Sequence, residues 1–268
     1  MSLDLDSRRR AMLAEMGLKL FEPPGVPGGD EAASHEPARP AGLKPATGGA
    51  VHVPAPMSIA REAAPESVSS RPGVGLMGWD ALEQAVAACR ACRLCEGRRN
   101  AVFGVGDRQA DWLIVGEAPG ENEDLQGEPF VGQDGKLLDN MLKALGLDRH
   151  HKVYIANALK CRPPGNRNPE PQEVALCEPF LRRQVELLQP KIILAMGRFA
   201  VQSLLGSADP IGKLRGRAHQ YMGVPVIVTF HPAYLLRNLP DKAKAWADLC
   251  LAQEVMRAQP AAGAPAGR

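Results

Sequence analysis

A glycine-rich loop in the middle of this 268-residue sequence holds several residues that could do chemistry. The loop runs from Gly116 to Leu138 with the sequence GEAPGENEDLQGEPFVGQDGKLL, and it contains the carboxylates of Glu117 and Glu123. Glycine and proline at this density let a backbone approach a ligand closely, and Phe130 could offer a stacking face to a base. The alternatives are solvated carboxylates and a phenylalanine that caps the core. A phosphate-binding loop is a further alternative, although G-x-x-x-x-G-K followed by Ser or Thr is absent.

Five of the six cysteines lie in two groups whose spacing suits metal chemistry. Two residues separate Cys89 from Cys92 and Cys92 from Cys95, and fifteen residues separate Cys161 from Cys177. Two pairs of thiolates that meet in space can hold either a tetrahedral zinc ion or a 4Fe–4S cluster, so the spacing alone leaves both open. The sixth cysteine, in the last predicted helix, is expected to be a small buried apolar residue.

Short apolar runs predict the elements that position these residues. Four buried strands are predicted, at 112–116, 153–156, 191–195 and 225–229. Helices are predicted at about 134–146, 171–188, 197–205 and 241–257. This alternation predicts an α/β fold, a three-layer α/β/α sandwich around a central four-stranded parallel sheet. In such sheets the chemistry lies beyond the carboxyl ends of the strands, and Glu117, Asn157 and His231 follow three of the four predicted strands.

Composition divides the rest of the chain. The predicted segments are a short amphipathic helix in 1–20, a disordered Pro/Gly/Ala-rich linker at 21–75, a catalytic domain at 76–259 and a disordered tail at 260–268. No apolar run is long enough for a membrane span and no secretory signal is evident, so a cytoplasmic protein is expected. The net charge of +2 is too small to indicate nucleic-acid binding, but Pro190 to Asn238 contains six basic residues and one acidic residue.

Three motifs resemble those of the family 4 uracil-DNA glycosylases. They are GEAPGENEDLQGEPFVG from Gly116, NALKCRPPGNRNP from Asn157 and HPAYLLR from His231. With the cysteines, the resemblance covers about 175 residues, from near Cys89 to the closing helix. It implies a DNA-repair enzyme that hydrolyses the N-glycosidic bond of uracil in DNA, releasing free uracil and leaving an abasic site.

The resemblance also implies catalytic roles. His231 would donate a hydrogen bond to uracil O2 as negative charge develops there. The position of Ala118, assigned to the substrate pocket, is an aspartate in the best-known branch of the superfamily, where it acts on water or on the sugar cation. Because alanine cannot do this, Glu117 is expected to be the catalytic carboxylate.

Further residues would bind the substrate. The resemblance implies that Phe130 stacks on the uracil ring and that the Asn157 amide bonds its Watson–Crick edge. Glu123 is expected in the same pocket.

Contacts with DNA outside the pocket are expected from the last motif and from a nearby basic segment. A leucine, assigned to Leu235, would fill the space left by the flipped base, and Arg237 would meet a phosphate. Arg215 and Arg217 are further phosphate candidates, with solvated surface charge as the alternative. Gly197 opens a helix whose free N–H groups could bind another phosphate.

For the cysteines, the resemblance implies a structural 4Fe–4S cluster held by Cys89, Cys92, Cys161 and Cys177. Cys95 is then an additional thiol near the cluster, with the alternative that it replaces Cys89 or Cys92 as a ligand. A redox role for the cluster is the alternative to a structural one.

Other classes of function stay open at this point. The chain could be a family relative with altered activity that acts as a uracil-DNA or polymerase-associated binding protein, or a redox α/β protein. The expected partner is uracil-containing DNA, and the tethered N-terminal helix predicts a contact with a protein partner.

Overall fold

The computed structural model describes residues 73–259. The predicted N-terminal helix, nearly all of the predicted linker and the predicted C-terminal tail lie outside these residues. Within them, no helix is both long enough and apolar enough to cross a membrane.

The described residues contain a six-stranded sheet with the strand order β1-β3-β2-β4-β6-β5. The strands are β1 (Val105–Gly106), β2 (Trp112–Gly116), β3 (Val153–Asn157), β4 (Ile192–Met196), β5 (Ala218–Tyr221) and β6 (Val224–Thr229).

Helices precede, separate and follow the strands. The α-helices are α1 (Trp79–Ala87), α2 (Leu94–Gly97), α3 (Glu121–Gln126), α4 (Gln133–Ala144), α5 (Pro171–Leu188), α6 (Arg198–Leu205), α7 (Ile211–Leu214), α8 (Pro232–Arg237) and α9 (Lys242–Ala258). Three short 3-10 turns occur at Val74–Leu76, Pro164–Asn166 and Leu239–Asp241.

The predicted α/β/α sandwich is confirmed, but the prediction of four strands is wrong. The four central strands β2, β3, β4 and β6 are parallel, and they coincide with the four predicted runs. The two further strands pair antiparallel at the edges, β1 with β3 and β5 with β6. The edge strands were not predicted because neither contains an apolar run. Strand β1 has only two residues, and exposed and half-buried residues alternate along β5.

Burial on both faces explains why the central strands are continuously apolar. Along β2, Trp112 and Ile114 pack in one cluster with α4 and α9, while Leu113 and Val115 pack in another with α5 and α6. Successive side chains of a strand point to opposite faces, so each face buries every second residue. The sheet therefore has a helical layer on each side.

The register of the parallel strands brings their carboxyl ends to one level. Gly116 at the end of β2 pairs with Asn157 at the end of β3. Val115 pairs with Ala195 of β4, and Met196 pairs with Thr229 at the end of β6. The loops that follow these four strands therefore leave the sheet at the same edge.

Candidate functional site

A cleft of about 1040 Å³ opens at this edge of the sheet. Its walls come from the loops after all four parallel strands and from α8. The structure brings together in it seven residues predicted from the sequence, which are Glu117, Ala118, Glu123, Phe130, Asn157, His231 and Arg237.

Glu117 is the first residue after β2, and the N-terminus of α6 fixes its carboxylate. Its Oε2 accepts a hydrogen bond of 3.1 Å from the backbone N–H of Phe199. Gly197 precedes this helix with a φ of 94°, and a Cβ at that position would lie 3.0 Å from the Glu117 carboxyl group. The contact therefore fixes the position of the carboxylate at the start of α6. Of the N–H groups at the start of this helix, which were predicted to be free for a phosphate, that of Phe199 is therefore already occupied by Glu117.

Asn157 ends β3 with a buried side chain that is 2% exposed. Its Oδ1 atom has no hydrogen-bond partner among residues 73–259. Gly116 lies directly beside it, and a Cβ on Gly116 would overlap this oxygen. Because a buried acceptor without a donor is unfavourable, such an atom at a cleft wall indicates a donor on a ligand.

Phe130 and His231 lie against each other in the cleft wall. Their ring centroids are 5.3 Å apart and their planes meet at 25°. Phe130 has a φ of 54°, a left-handed conformation that is uncommon for a bulky residue. A side chain on Gly116 would also collide with the Phe130 ring, so this glycine is required by two neighbours.

The protonation of His231 follows from its surroundings. The Nδ1 atom accepts a hydrogen bond of 3.2 Å from the backbone N–H of Ala233. Burial lowers the pKa of His231, although the carboxylates of Glu117 and Glu123 act in the opposite direction. A neutral imidazole whose Nδ1 is an acceptor carries its proton on Nε2. The ring can therefore donate a hydrogen bond from Nε2 while uncharged.

Glu123 lines the cleft, but its two oxygens bind main-chain donors rather than remaining open to a ligand. Oε2 accepts the N–H of Gly120 at 3.0 Å, and Oε1 accepts those of Val131 and Gly132 at 3.0 Å and 3.3 Å. The structure thus places Glu123 in the cleft wall and gives it, in addition, a contact with the loop around Phe130.

The prediction that Leu235 contacts DNA is corrected by the structure. Leu235 is fully buried in the core beneath α8, so it cannot reach DNA while the helix is folded. The next residue, Leu236, is 41% exposed and lines the cleft beside Arg237.

The two other predicted phosphate contacts differ from each other. Arg217 is exposed. Arg215 instead forms an ion pair with the fully buried carboxylate of Asp248, with Nε–Oδ2 at 3.0 Å and Nη2–Oδ1 at 2.9 Å. The structure therefore places the Arg215 guanidinium in a contact with α9, which ties this helix to the segment before β5.

The cleft residues that were not predicted from the sequence include Asp134, Arg167 and Arg198. Burial and the neighbouring Glu123 raise the pKa of Asp134. Arg198 directly follows Gly197 after β4. The expectation that functional residues lie beyond the carboxyl ends of the parallel strands could therefore have identified it. Arg167 lies in the long segment after β3, and only the tertiary fold shows that this segment returns to the cleft.

The four cysteines predicted as ligands line a second, small cavity behind the sheet edge. Cys89, Cys92, Cys161 and Cys177 share its wall with the apolar side chains of Val86, Leu94, Leu159 and Phe180. Among residues 73–259, no group of three or more His, Cys, Asp or Glu side chains is arranged to hold a single metal ion. A 4Fe–4S cluster does not require such convergence, because each thiolate binds a different iron atom.

Polar donors face the sulfur atoms inside this apolar cavity. Arg98 Nη1 donates to Cys161 Sγ at 2.9 Å, and the backbone N–H of Lys160 donates to Cys177 Sγ at 3.3 Å. Burial raises the pKa of Cys177 to about 12, so a thiolate there requires compensating positive charge. Hydrogen bonds to ligand sulfur are a common feature of iron–sulfur sites, and the residues present fit a cluster.

Comparison with known proteins agrees with this geometry. A family model described as the uracil DNA glycosylase superfamily matches residues 103–250. The type-4 uracil-DNA glycosylase of Archaeoglobus fulgidus is 44% identical over 165 residues, covering 59% of this chain and 82% of the relative.

Two further type-4 uracil-DNA glycosylases are similar to the chain. The protein of Saccharolobus solfataricus is 40% identical over 190 residues, which cover 68% of this chain and 88% of the relative. That of Thermotoga maritima is 44% identical over 165 residues, which cover 61% of this chain and 85% of the relative. The chain therefore belongs to the uracil-DNA glycosylase superfamily, and within it to the type-4 uracil-DNA glycosylases.

Proposed function

We propose that this protein removes uracil from DNA by hydrolysing the N-glycosidic bond, which releases free uracil and leaves an abasic site. The proposal rests above all on the buried Asn157 Oδ1, which has no donor among the described residues and lies in the same cleft as Glu117 and His231. An enzyme that acts on a base inside DNA must first flip it into such a pocket.

Recognition of uracil follows from the two ends of the Asn157 amide. Its oxygen accepts the N3–H of uracil and its nitrogen donates to O4. Cytosine has an acceptor at N3 and a donor at the neighbouring exocyclic position, so it would leave both ends of the amide unpaired. Phe130, in the wall of the same cleft, supplies an aromatic surface for the base.

Cleavage leaves the electron pair of the glycosidic bond on uracil and positive charge on the sugar. His231, neutral and with its proton on Nε2, would donate to O2 and stabilise the uracil anion. The Glu117 carboxylate, held by the Phe199 N–H, would stabilise the sugar cation. It would then accept a proton from the water molecule that attacks C1′. Ala118 offers no polar side chain, which leaves these roles to Glu117.

A 4Fe–4S cluster held by Cys89, Cys92, Cys161 and Cys177 would have a structural role. Three ligands lie on different segments of the fold, because Cys89 follows α1, Cys161 follows β3 and Cys177 lies within α5. A bound cluster would cross-link these segments through its iron–thiolate bonds, and Lys160, the neighbour of Cys161, donates from Nζ to the Asn157 carbonyl oxygen. No step of the proposed hydrolysis requires electron transfer.

DNA outside the pocket would meet the exposed end of α8. Leu236 and Arg237 line the cleft there, and Arg198 lies on its wall at the start of α6. An exposed leucine can fill the space of a flipped base, and arginines bind phosphates. A cytoplasmic location and a protein partner for the N-terminal helix stay sequence-based predictions.

The direct test of the activity uses the purified protein and a DNA oligonucleotide with a single uracil. We expect alkali-labile abasic sites at the uracil position, measured as strand cleavage after hot alkali. The same oligonucleotides with cytosine or thymine at that position should stay intact. Intact uracil-containing DNA, under conditions in which the protein binds it, would contradict the proposed function.

The role of Glu117 is tested by Glu117→Gln, which keeps the shape of the side chain and removes its charge. We expect the single-turnover excision rate to fall by about 100-fold or more, the range typical of a general base. Affinity for uracil-containing DNA should change little. Glu121→Gln is the matched control, since Glu121 is an exposed carboxylate that lines the same cleft. Equal rates for Glu117→Gln and the wild type would remove Glu117 from the mechanism.

The cluster assignment is tested by Cys161→Ala, with Cys250→Ala as the control outside the cysteine cavity. We expect wild type and Cys250→Ala to contain about four iron atoms per chain and to show the brown absorbance of a cluster. Cys161→Ala should lose iron and have a lower melting temperature. A Cys161→Ala protein with full iron content and stability would show that the ligand set is wrong.

A further inference from the structure

The Phe130 main chain is held from two sides in a conformation that it would not adopt alone. Its φ of 54° is costly for a residue with a bulky side chain, and the residue is only 3% exposed. Such a conformation persists only where neighbouring groups fix it. The direction of the Phe130 ring depends on the groups that hold its backbone in this conformation.

One side is held by Glu123, which accepts the backbone N–H groups of Val131 and Gly132. These two groups directly follow Phe130 in the chain. The carboxylate therefore holds the Phe130–Val131 peptide plane from its N–H side, and the carbonyl oxygen on the other side of that plane needs a donor of its own.

The other side is held by Arg149, which lies nineteen positions further along the chain. Its Nη2 atom donates to the Phe130 carbonyl oxygen at 2.9 Å and lies 3.4 Å from that of Pro129. Gly135 permits this arrangement, because a Cβ there would collide with the Phe130 carbonyl group. The contact therefore joins the loop that contains Phe130 to the segment before β3.

Arg149 is itself fixed in place. It lies in a tight turn closed by the backbone bond from His151 N–H to the Asp148 carbonyl oxygen. Its Nε lies 3.0 Å from Oδ1 of Asp139 on α4, and its side chain is 14% exposed. Arg149 is not among the residues that line the cleft, so a direct contact with a flipped base would require it to leave this position.

We propose that Arg149 is a positioning residue for uracil excision, which holds the left-handed Phe130 backbone so that the ring faces the base pocket and His231. The inference rests on the proposed function. Without the guanidinium, the buried carbonyl group loses a charged donor, and the Pro129–Phe130 peptide, whose carbonyl oxygen Arg149 also contacts, can rotate to relieve the strained φ. The ring would then leave the position in which it lies against His231.

The test compares Arg149→Met with wild type in single-turnover excision of uracil and in binding to abasic-site DNA. We expect the excision rate to fall on the order of 10-fold to 100-fold, as for loss of a charged donor to a buried group. The dissociation constant for abasic-site DNA should change less than about two-fold, because that DNA presents no base to the ring. Arg149→Lys, which keeps one cationic donor, should recover part of the rate.

A double-mutant cycle with Phe130→Gly separates positioning of the ring from other roles of Arg149. Glycine adopts a φ of 54° without strain and has no ring to aim. In that background, Arg149→Met should therefore change the rate by less than about two-fold. An equally large loss in both backgrounds would overturn the inference, because Arg149 would then act through another group.

Further controls distinguish a loss of folding from a displacement of the Phe130 ring. Arg108→Met removes an arginine that pairs with Asp80 and Glu83 at the surface, and it should leave the excision rate unchanged. Thermal unfolding of each variant identifies the folded ones, and Arg149→Gln replaces Arg149→Met if the latter does not fold. If wild type fails to excise uracil, the proposed function is wrong. If wild type is active and folded Arg149→Met or Arg149→Gln is equally fast, only the present inference is wrong.

Discussion

The parallel pairing of β2 with β3 and β4 is the interaction on which the rest of the site depends. It sets Gly116 level with Asn157 and brings the loops after these strands to one edge of the sheet. The N-terminus of α6 then lies within reach of Glu117, although 82 positions separate Phe199 from that residue in the chain. A shift of one residue in either pairing would turn Asn157 or Glu117 away from the cleft, because strand side chains alternate between faces.

Several buried polar side chains that support the fold have multiple partners, in contrast to the side-chain oxygen of Asn157. Glu123, Lys160 and Asp248 are all buried, and each is held by several hydrogen bonds or by an ion pair. Lys160 also supports the site itself, because its Nζ donates at 2.9 Å to the carbonyl oxygen of Asn157. Asn157 thus has a fixed backbone and a side-chain oxygen to which no residue of 73–259 donates, as expected of a residue that binds a ligand.

Local composition accounts for the parts of the structure that the sequence predicts. The four parallel strands are continuous apolar runs, and the loops with Glu117, Asn157 and His231 follow them directly, so both were predictable. The edge strands were not, because β1 and β5 exist through pairing with a neighbour rather than through their own apolar pattern.

Side-chain placement depended on tertiary packing in ways that residue type does not reveal. Leu235 and Leu236 are adjacent and chemically identical, and only the rotation of α8 against α4 decides which is buried. Arg215 belongs to a basic segment, but a carboxylate 33 positions away in α9 determines its partner. In the same way, the contact of Glu123 with the Phe130 loop follows from the return of the chain after α3.

If the Asn157 oxygen accepts the N3–H of uracil, removal of that one donor from the base should slow excision. The measurement is the single-turnover excision rate for an oligonucleotide with N3-methyluracil, compared with the same oligonucleotide with uracil. A site built around a hydrogen bond rejects an analogue that lacks the donor, so we predict a rate at least about 100-fold lower for N3-methyluracil. Equal rates for the two bases would show that the Asn157 oxygen does not recognise the N3–H of uracil.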